Sequence, residues 1–112
     1  MKAVHLSRAL MLEDPVEVAD GAGGLELNWS SLGRLWAEVV PATGREAAGE
    51  EVNLATVGYR ITVRGAVVGA ASRPKPEQRF RDGSRVFTIL AVTERDAAGQ
   101  YLTCFAREEV PA

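Results

Sequence analysis

His5 and Cys104 are the only histidine and the only cysteine in the chain, so nucleophilic or metal chemistry of the usual kinds would have to run through them. A catalytic pair needs a thiolate activated by a neighbouring imidazole. Cys104 alternates with Leu102 and Ala106 and reads as a small buried hydrophobe, while His5 lies in an N-terminal segment of the kind that frays. One cysteine and one histidine do not complete a four-ligand zinc site, and Asp14, Asp20 and Glu26 lack the spacing of an EF-hand loop. Gly21, Gly23 and Gly24 superficially resemble a phosphate loop, but no Lys-Ser/Thr pair and no helix follow them, so the segment reads as a turn. Glu50 and Glu51 are adjacent on a loop and do not converge as an acid–base pair would. No catalytic, metal-binding or cofactor-binding residue is assigned, and the chain reads as a protein without enzymatic activity.

One cluster has the composition of a binding surface. Arg73, Lys75, Arg79, Arg81 and Arg85 crowd around Pro74 and Pro76 with Phe80 among them. Cations of this kind contact phosphates without regard to sequence, and an exposed aromatic stacks on a base. The same residues suit a docking strip for an acidic protein, which is the favoured reading. The net charge of −2 is not that of a dedicated nucleic-acid binder. Its distribution is uneven: residues 1–58 hold nine of the 15 acidic side chains, and residues 59–112 hold nine of the 13 basic ones. Subunits packing side by side, acidic edge against basic edge, would use such an asymmetry. Scatter over a solvated surface explains the count equally well.

The elements that must position these residues are strands. At 112 residues, 46% hydrophobic and 25% charged, the chain has the size and balance of one globular domain spanning 1–112. No apolar run approaches the ~20 residues of a membrane-spanning helix. Met1 to Arg8 lacks the apolar core of a secretory signal, and a single cysteine suits a reducing compartment. Leu6 to Glu13 is the first candidate strand, weakened by Asp14-Pro15. The Asp20–Gly24 turn follows, and then Leu25, Leu27 and Trp29 alternate with polar residues. Arg34 to Val40 reads as a separate third strand. Val57 to Arg64 has the cleanest period of two, with Val57, Tyr59, Ile61 and Val63 on one face. Asp82-Gly83 signals a hairpin before Val86 to Thr93, which is apolar on both faces and reads as the most buried strand. Asp96 to Gln100 turns into the last strand, Tyr101 to Glu108. The predicted fold is mainly β, a small antiparallel barrel or sandwich of about six strands with long loops. At most one short helix fits, in Gly44 to Val52 or near the N-terminus. Trp29, Trp36, Tyr59 and Phe87 fall at core-like positions, and no large apolar stripe is left for the surface. Two connections, Thr43 to Asn53 and Gly65 to Gln78, exceed what a hairpin needs.

The order of these signals resembles the head–tail joining proteins of tailed phages, also called head-closure or stopper proteins, and their equivalents in gene transfer agents. The resemblance runs from about Leu6 to Glu109. It rests on Asp20, Gly23 and Trp29, followed by Trp36, Ala37, Val39, Pro41, Gly44 and Glu46 in a Trp-Ala-x-Val-x-Pro-x-x-Gly-x-Glu stretch. Ile61, Val63 and Arg64 come next, then Gly83, Phe87, Ile89 and Val92, and last Leu102 and Cys104. The Gly65 to Ala71 link is longer than is usual in the family. The resemblance implies a structural virion subunit, assembled in the host cytoplasm, in a ring of six or twelve copies below the portal or its adaptor. A tail terminator or tail tube would dock beneath it, and packaged double-stranded DNA would be held in its channel. No cofactor and no membrane are implied. By the same resemblance the loop after the Pro-x-x-Gly stretch lines the channel, which makes Thr43, Gly44, Arg45, Glu46, Gly49, Glu50, Glu51 and Asn53 the candidate gate. Its excess of carboxylates would repel a phosphate backbone and let DNA leave without sticking. The alternatives are another ring of the same junction, such as a tail terminator, and, from a different class, a single-strand nucleic-acid-binding module.

Overall fold

A computed structural model describes residues 3–42 and 57–109. Six strands follow one another: β1 (Arg8–Ala19), β2 (Leu25–Pro41), β3 (Val57–Arg64), β4 (Arg79–Asp82), β5 (Arg85–Glu94) and β6 (Tyr101–Glu108). They close into an antiparallel barrel in the order β1-β2-β3-β6-β5-β4, with β4 completing the circle onto β1 through Met11, Leu12 and Glu13. The predicted β-barrel class is the observed one. Among the described residues there is no helix, and none long and apolar enough to cross a membrane. The helix considered within Gly44 to Val52 lies outside the described residues.

The period of two in each strand sends one side chain in and the next out, and a barrel of this size is filled by the inward set. Leu10, Leu12, Ala37, Ile61, Val63, Phe80, Phe87, Ile89, Leu102, Cys104 and Ala106 form that interior, with Leu35, Val39, Tyr59 and Val92 packed against it. Burying each larger side chain contributes about 1.5–3 kcal/mol.

Several expectations are corrected by the ladders. The segments around Trp29 and Arg34–Val40 are one strand of 17 residues, not two. The ladder between β1 and β2 slips by one residue where Leu12 pairs with Gly33 and Glu13 with Ser31. That bulge, with Gly33 at φ 124°, reverses the parity of β2. Odd positions face outward before it and even positions after it, so Trp36 lies on the outer wall, 59% exposed, instead of in the core. Trp29 is on the same outer side and only half-buried. Asp14-Pro15 does not end β1, because Pro15 stands where β1 has no neighbour but β2. The apolar character of both faces of β5 has a similar cause: a bulge between Ile89 and Ala91 puts Phe87 and Ile89 inside, and then Val92. Phe80, a candidate for stacking on a base, is fully buried, and Arg79–Asp82 is a strand of the barrel, not a loop.

Beyond Glu13 on β1 and before Gly33 on β2 the two strands leave the barrel as a two-stranded arm. The molecule is correspondingly elongated, 54 × 34 × 24 Å. At the tip Asp20 accepts the backbone N–H groups of Ala22 and Gly24 at 2.8 and 3.0 Å. The arm exposes Leu25 and Leu27 on one face and Val16 and Val18 on the other, two small apolar patches rather than one large stripe. The arm emerges at the end of the barrel where β3 and β5 finish. The end of β2 at Pro41 and the start of β3 at Val57 are at the opposite end.

Candidate functional site

The arm is rooted by a charged cluster on the outer wall. Glu13, Met11 and Ser31 share that wall with Arg79 and Arg81 because Met11 pairs with Arg81 and Glu13 with Arg79 across the β1–β4 ladder. Arg79 donates from Nε to Glu13 Oε1 at 2.7 Å, and Arg81 donates from Nε to Oε2 at 2.9 Å. The Arg79 guanidinium lies 3.9 Å over the Trp29 ring, so the cation is held between a carboxylate and an indole face. Glu13 is 5% exposed. Burial by itself pushes its carboxyl up, but the hydrogen bonds and charges of Arg79 and Arg81 outweigh that and hold it below the usual carboxylate range. On the inner side of the arm's root, Gln78 donates to Asp14 Oδ1 at 2.9 Å and accepts the backbone N–H of Lys75. Strand pairing and this network together fix the direction in which the arm leaves.

The five cations singled out in the sequence do not gather into one patch. Arg79 and Arg81 are bound to Glu13. Arg73 donates to the Ala66 carbonyl at 2.8 Å and braces the Gly65–Gln78 crossing at the arm end. Arg85 is at the other end of the barrel and grips Glu108 with two bonds, 2.8 and 3.0 Å, with a third to the Tyr59 hydroxyl at 3.3 Å. Its guanidinium also lies 5.0 Å from the Phe87 ring centroid. The bond from Arg85 holds Glu108 below the usual carboxylate range, and Glu108 raises Arg85 in turn. Lys75 is exposed. The sequence signal that Arg79 and Arg81 belong to a strand was present: an Asp-Gly turn at 82–83 requires a strand before it as well as after it.

The candidate gate (Thr43, Gly44, Arg45, Glu46, Gly49, Glu50, Glu51, Asn53) lies outside the described residues. The strands on either side of it are β2 and β3. Pro41 pairs with Tyr59, and Ala42 donates to the Gly58 carbonyl at 2.9 Å, close to where Val57 pairs with Glu108. Cys104 is fully buried in the barrel, where desolvation pushes its thiol up to about 12. His5 is exposed on the outside, its backbone N–H donating to Glu38. Among the described residues no cluster of histidine, cysteine and carboxylate has the makings of a metal site.

Comparison with solved structures finds the same architecture in a chain from the virion of a native gene transfer agent particle. The two are 58% identical, each covers 100% of the other, and the TM-score is 0.77. A protein of Shigella flexneri 2a solved in solution shares the fold at 24% identity, full coverage of both chains and a TM-score of 0.71. No curated protein matches the sequence. The family model for phage head completion proteins matches residues 1–109, which takes in the whole barrel-and-arm unit described above, and the chain therefore belongs to the phage head completion protein family.

Proposed function

We propose that this chain is the head-closure, or stopper, subunit of a phage-like particle. Its place is the virion, and its role in head completion is structural. In the proposed assembly, copies form a ring beneath the portal or its adaptor, keep packaged double-stranded DNA from leaving, and offer a lower surface to the tail terminator or tail tube. The observation that carries this reading is the polarity of the fold. The arm leaves one end of the closed barrel and the strand ends that flank residues 43–56, Pro41 and Val57, lie at the other, so a subunit can engage a neighbour through one end and face a channel with the other. Among the described residues the barrel closes without an open sheet edge of its own, so contacts fall to the arm, the loops and side chains on the outer wall rather than to strand addition. Three carboxylates against Arg45 in the 43–53 segment suit a channel lining that blocks DNA sterically and does not bind its phosphates.

The test is to shorten Thr43–Asn53 and count the particles that keep their DNA when tail-less heads are purified. Closure entropy changes slowly with loop length, so the shortened subunit folds and joins the particle, and the heads lose DNA. If those heads retain DNA as well as the parent, the gate is not this segment, and Arg73 to Arg85 becomes the segment to test next.

A further inference from the structure

The arm carries apolar side chains that its own barrel leaves uncovered. Cross-strand pairing places Leu25, Leu27 and Trp29 on one face with Ala19, Glu17 and Pro15. Leu25 is 67% exposed and Leu27 54%. A two-stranded ribbon is marginal in water by itself, and leucines displayed on one are a feature of contact surfaces. The arm is also purely acidic: between Glu13 and Arg34 it holds Asp14, Glu17, Asp20 and Glu26 and no lysine or arginine.

The barrel wall has a groove of the opposite character. Leu6, Leu35 and Trp36 line it together with Arg34 and Arg64, around a volume of about 520 Å³. Among the described residues neither arginine forms an ion pair. The arm does not fold back into this groove within one molecule. Leu27 and Arg34 are on the same extended strand, roughly 20 Å apart at ~3.3 Å per residue, and the Glu13 cluster holds the arm's root straight against β4.

We propose that the arm of one copy docks in the Leu6–Leu35–Trp36 groove of a second copy, with Leu25 and Leu27 covering Trp36, and with Glu17, on the same face of the arm, meeting Arg34 and Arg64. Because arm and groove are different patches, the contact repeats head to tail, the kind of interface that closes into a ring when the rotation allows. The inference deepens the ring reading above and rests on it. An arm face of this width supplies only part of the ~800 Å² per partner of a stable interface, so the contact is weak between free chains and completes on a particle.

The experiment combines two single substitutions in separate molecules, Leu27→Cys on the arm and Arg34→Cys at the groove, with Val68→Cys as a control. Val68 is 84% exposed and outside the groove, and buried Cys104 stays in place. Particles are assembled from mixed populations and lightly oxidised, and electron cryo-microscopy of the same particles reports whether copies are adjacent at all. The proposal expects the Leu27→Cys and Arg34→Cys mixture to form disulfide dimers at least about tenfold faster than the Leu27→Cys and Val68→Cys mixture, through the high effective concentration of a seated arm. If the images show neighbouring copies in a ring while the two mixtures behave alike, the arm contact is wrong and the ring stands. If the arm cysteine links to a different particle protein instead, the arm contact is again wrong. If the images show no two copies in contact, the ring reading itself fails and this inference with it.

Discussion

Replacing Glu13 by glutamine tests whether the outer-wall cluster stabilises the arm and barrel as described. Glu13 is shielded, its side chain 7% exposed, and its two partners differ: the Arg79 side chain is 21% exposed and that of Arg81 42%. A hydrogen bond to a charged group contributes about 1.5–3 kcal/mol, and the well-buried Arg79 bond belongs in that range. The Arg81 bond is screened by solvent and contributes about 0.5 kcal/mol. Glutamine leaves one neutral acceptor for Arg79 and turns an N–H group towards the Arg81 N–H. The expected net loss is about 2 kcal/mol, which for a domain of this size lowers Tm by roughly 8 °C. The loss must also depend on pH. The native Glu13 carboxyl lies below its ordinary value of 4.5, so the unfolded chain takes up a proton more readily than the native one. The carboxylate's contribution is therefore complete above that value, and it drains away as pH falls through it and then through the lower native value. Thermal melts followed by circular dichroism should show a wide gap between parent and Glu13→Gln at pH 7 that closes in acid as Glu13 is protonated. A variant melting within about 1 °C of the parent at pH 7, or a gap that persists undiminished in acid, would refute the account.

Two further outcomes follow from burial and backbone geometry. Trp36→Ala should change stability by less than about 1 kcal/mol, because its ring is on the outer wall, whereas Phe87→Ala, fully buried and edge-on to Tyr59 at 5.2 Å, should cost about 3–5 kcal/mol; urea denaturation of the two variants side by side decides this, and comparable losses would put Trp36 back in the core. Gly65→Ala should destabilise severely, since a Cβ there would come within 2.1 Å of the Gly99 carbonyl oxygen while the Gly65 N–H is bonded to the Gln100 carbonyl at 2.7 Å; a variant that expresses and melts like the parent would show that this crossing is loosely held.

The fold class was legible because its signals are local. Alternation in Val57–Arg64 and Tyr101–Glu108, the Asp-Gly turn at 82–83 and the Asp-anchored turns at 20 and 96 each depend on residues within a few positions of one another. Asp96 does accept the backbone N–H groups of Gln100 and Tyr101, as a turn residue of that type should. The family resemblance was legible for the same reason, since it rests on the order of such signals. The position of Trp36 was not, because it depends on a one-residue slip against β1 that only the pairing of β1 with β2 creates. From the sequence, Trp36 lay among Leu35, Val39 and Val40 and looked buried; one bulge at Leu32–Gly33 turned it to the outer wall. The basic stretch shows the same limit. Five cations close in sequence look like one surface, but Glu13 comes 66 and 68 residues before Arg79 and Arg81, and Glu108 comes 23 residues after Arg85. Glu13 meets Arg79 and Arg81 only when β4 closes the barrel onto β1, and Glu108 meets Arg85 only when β6 pairs with β5, so strand pairing rather than composition decided which charges were neutralised inside the subunit and which apolar residues were left on the arm.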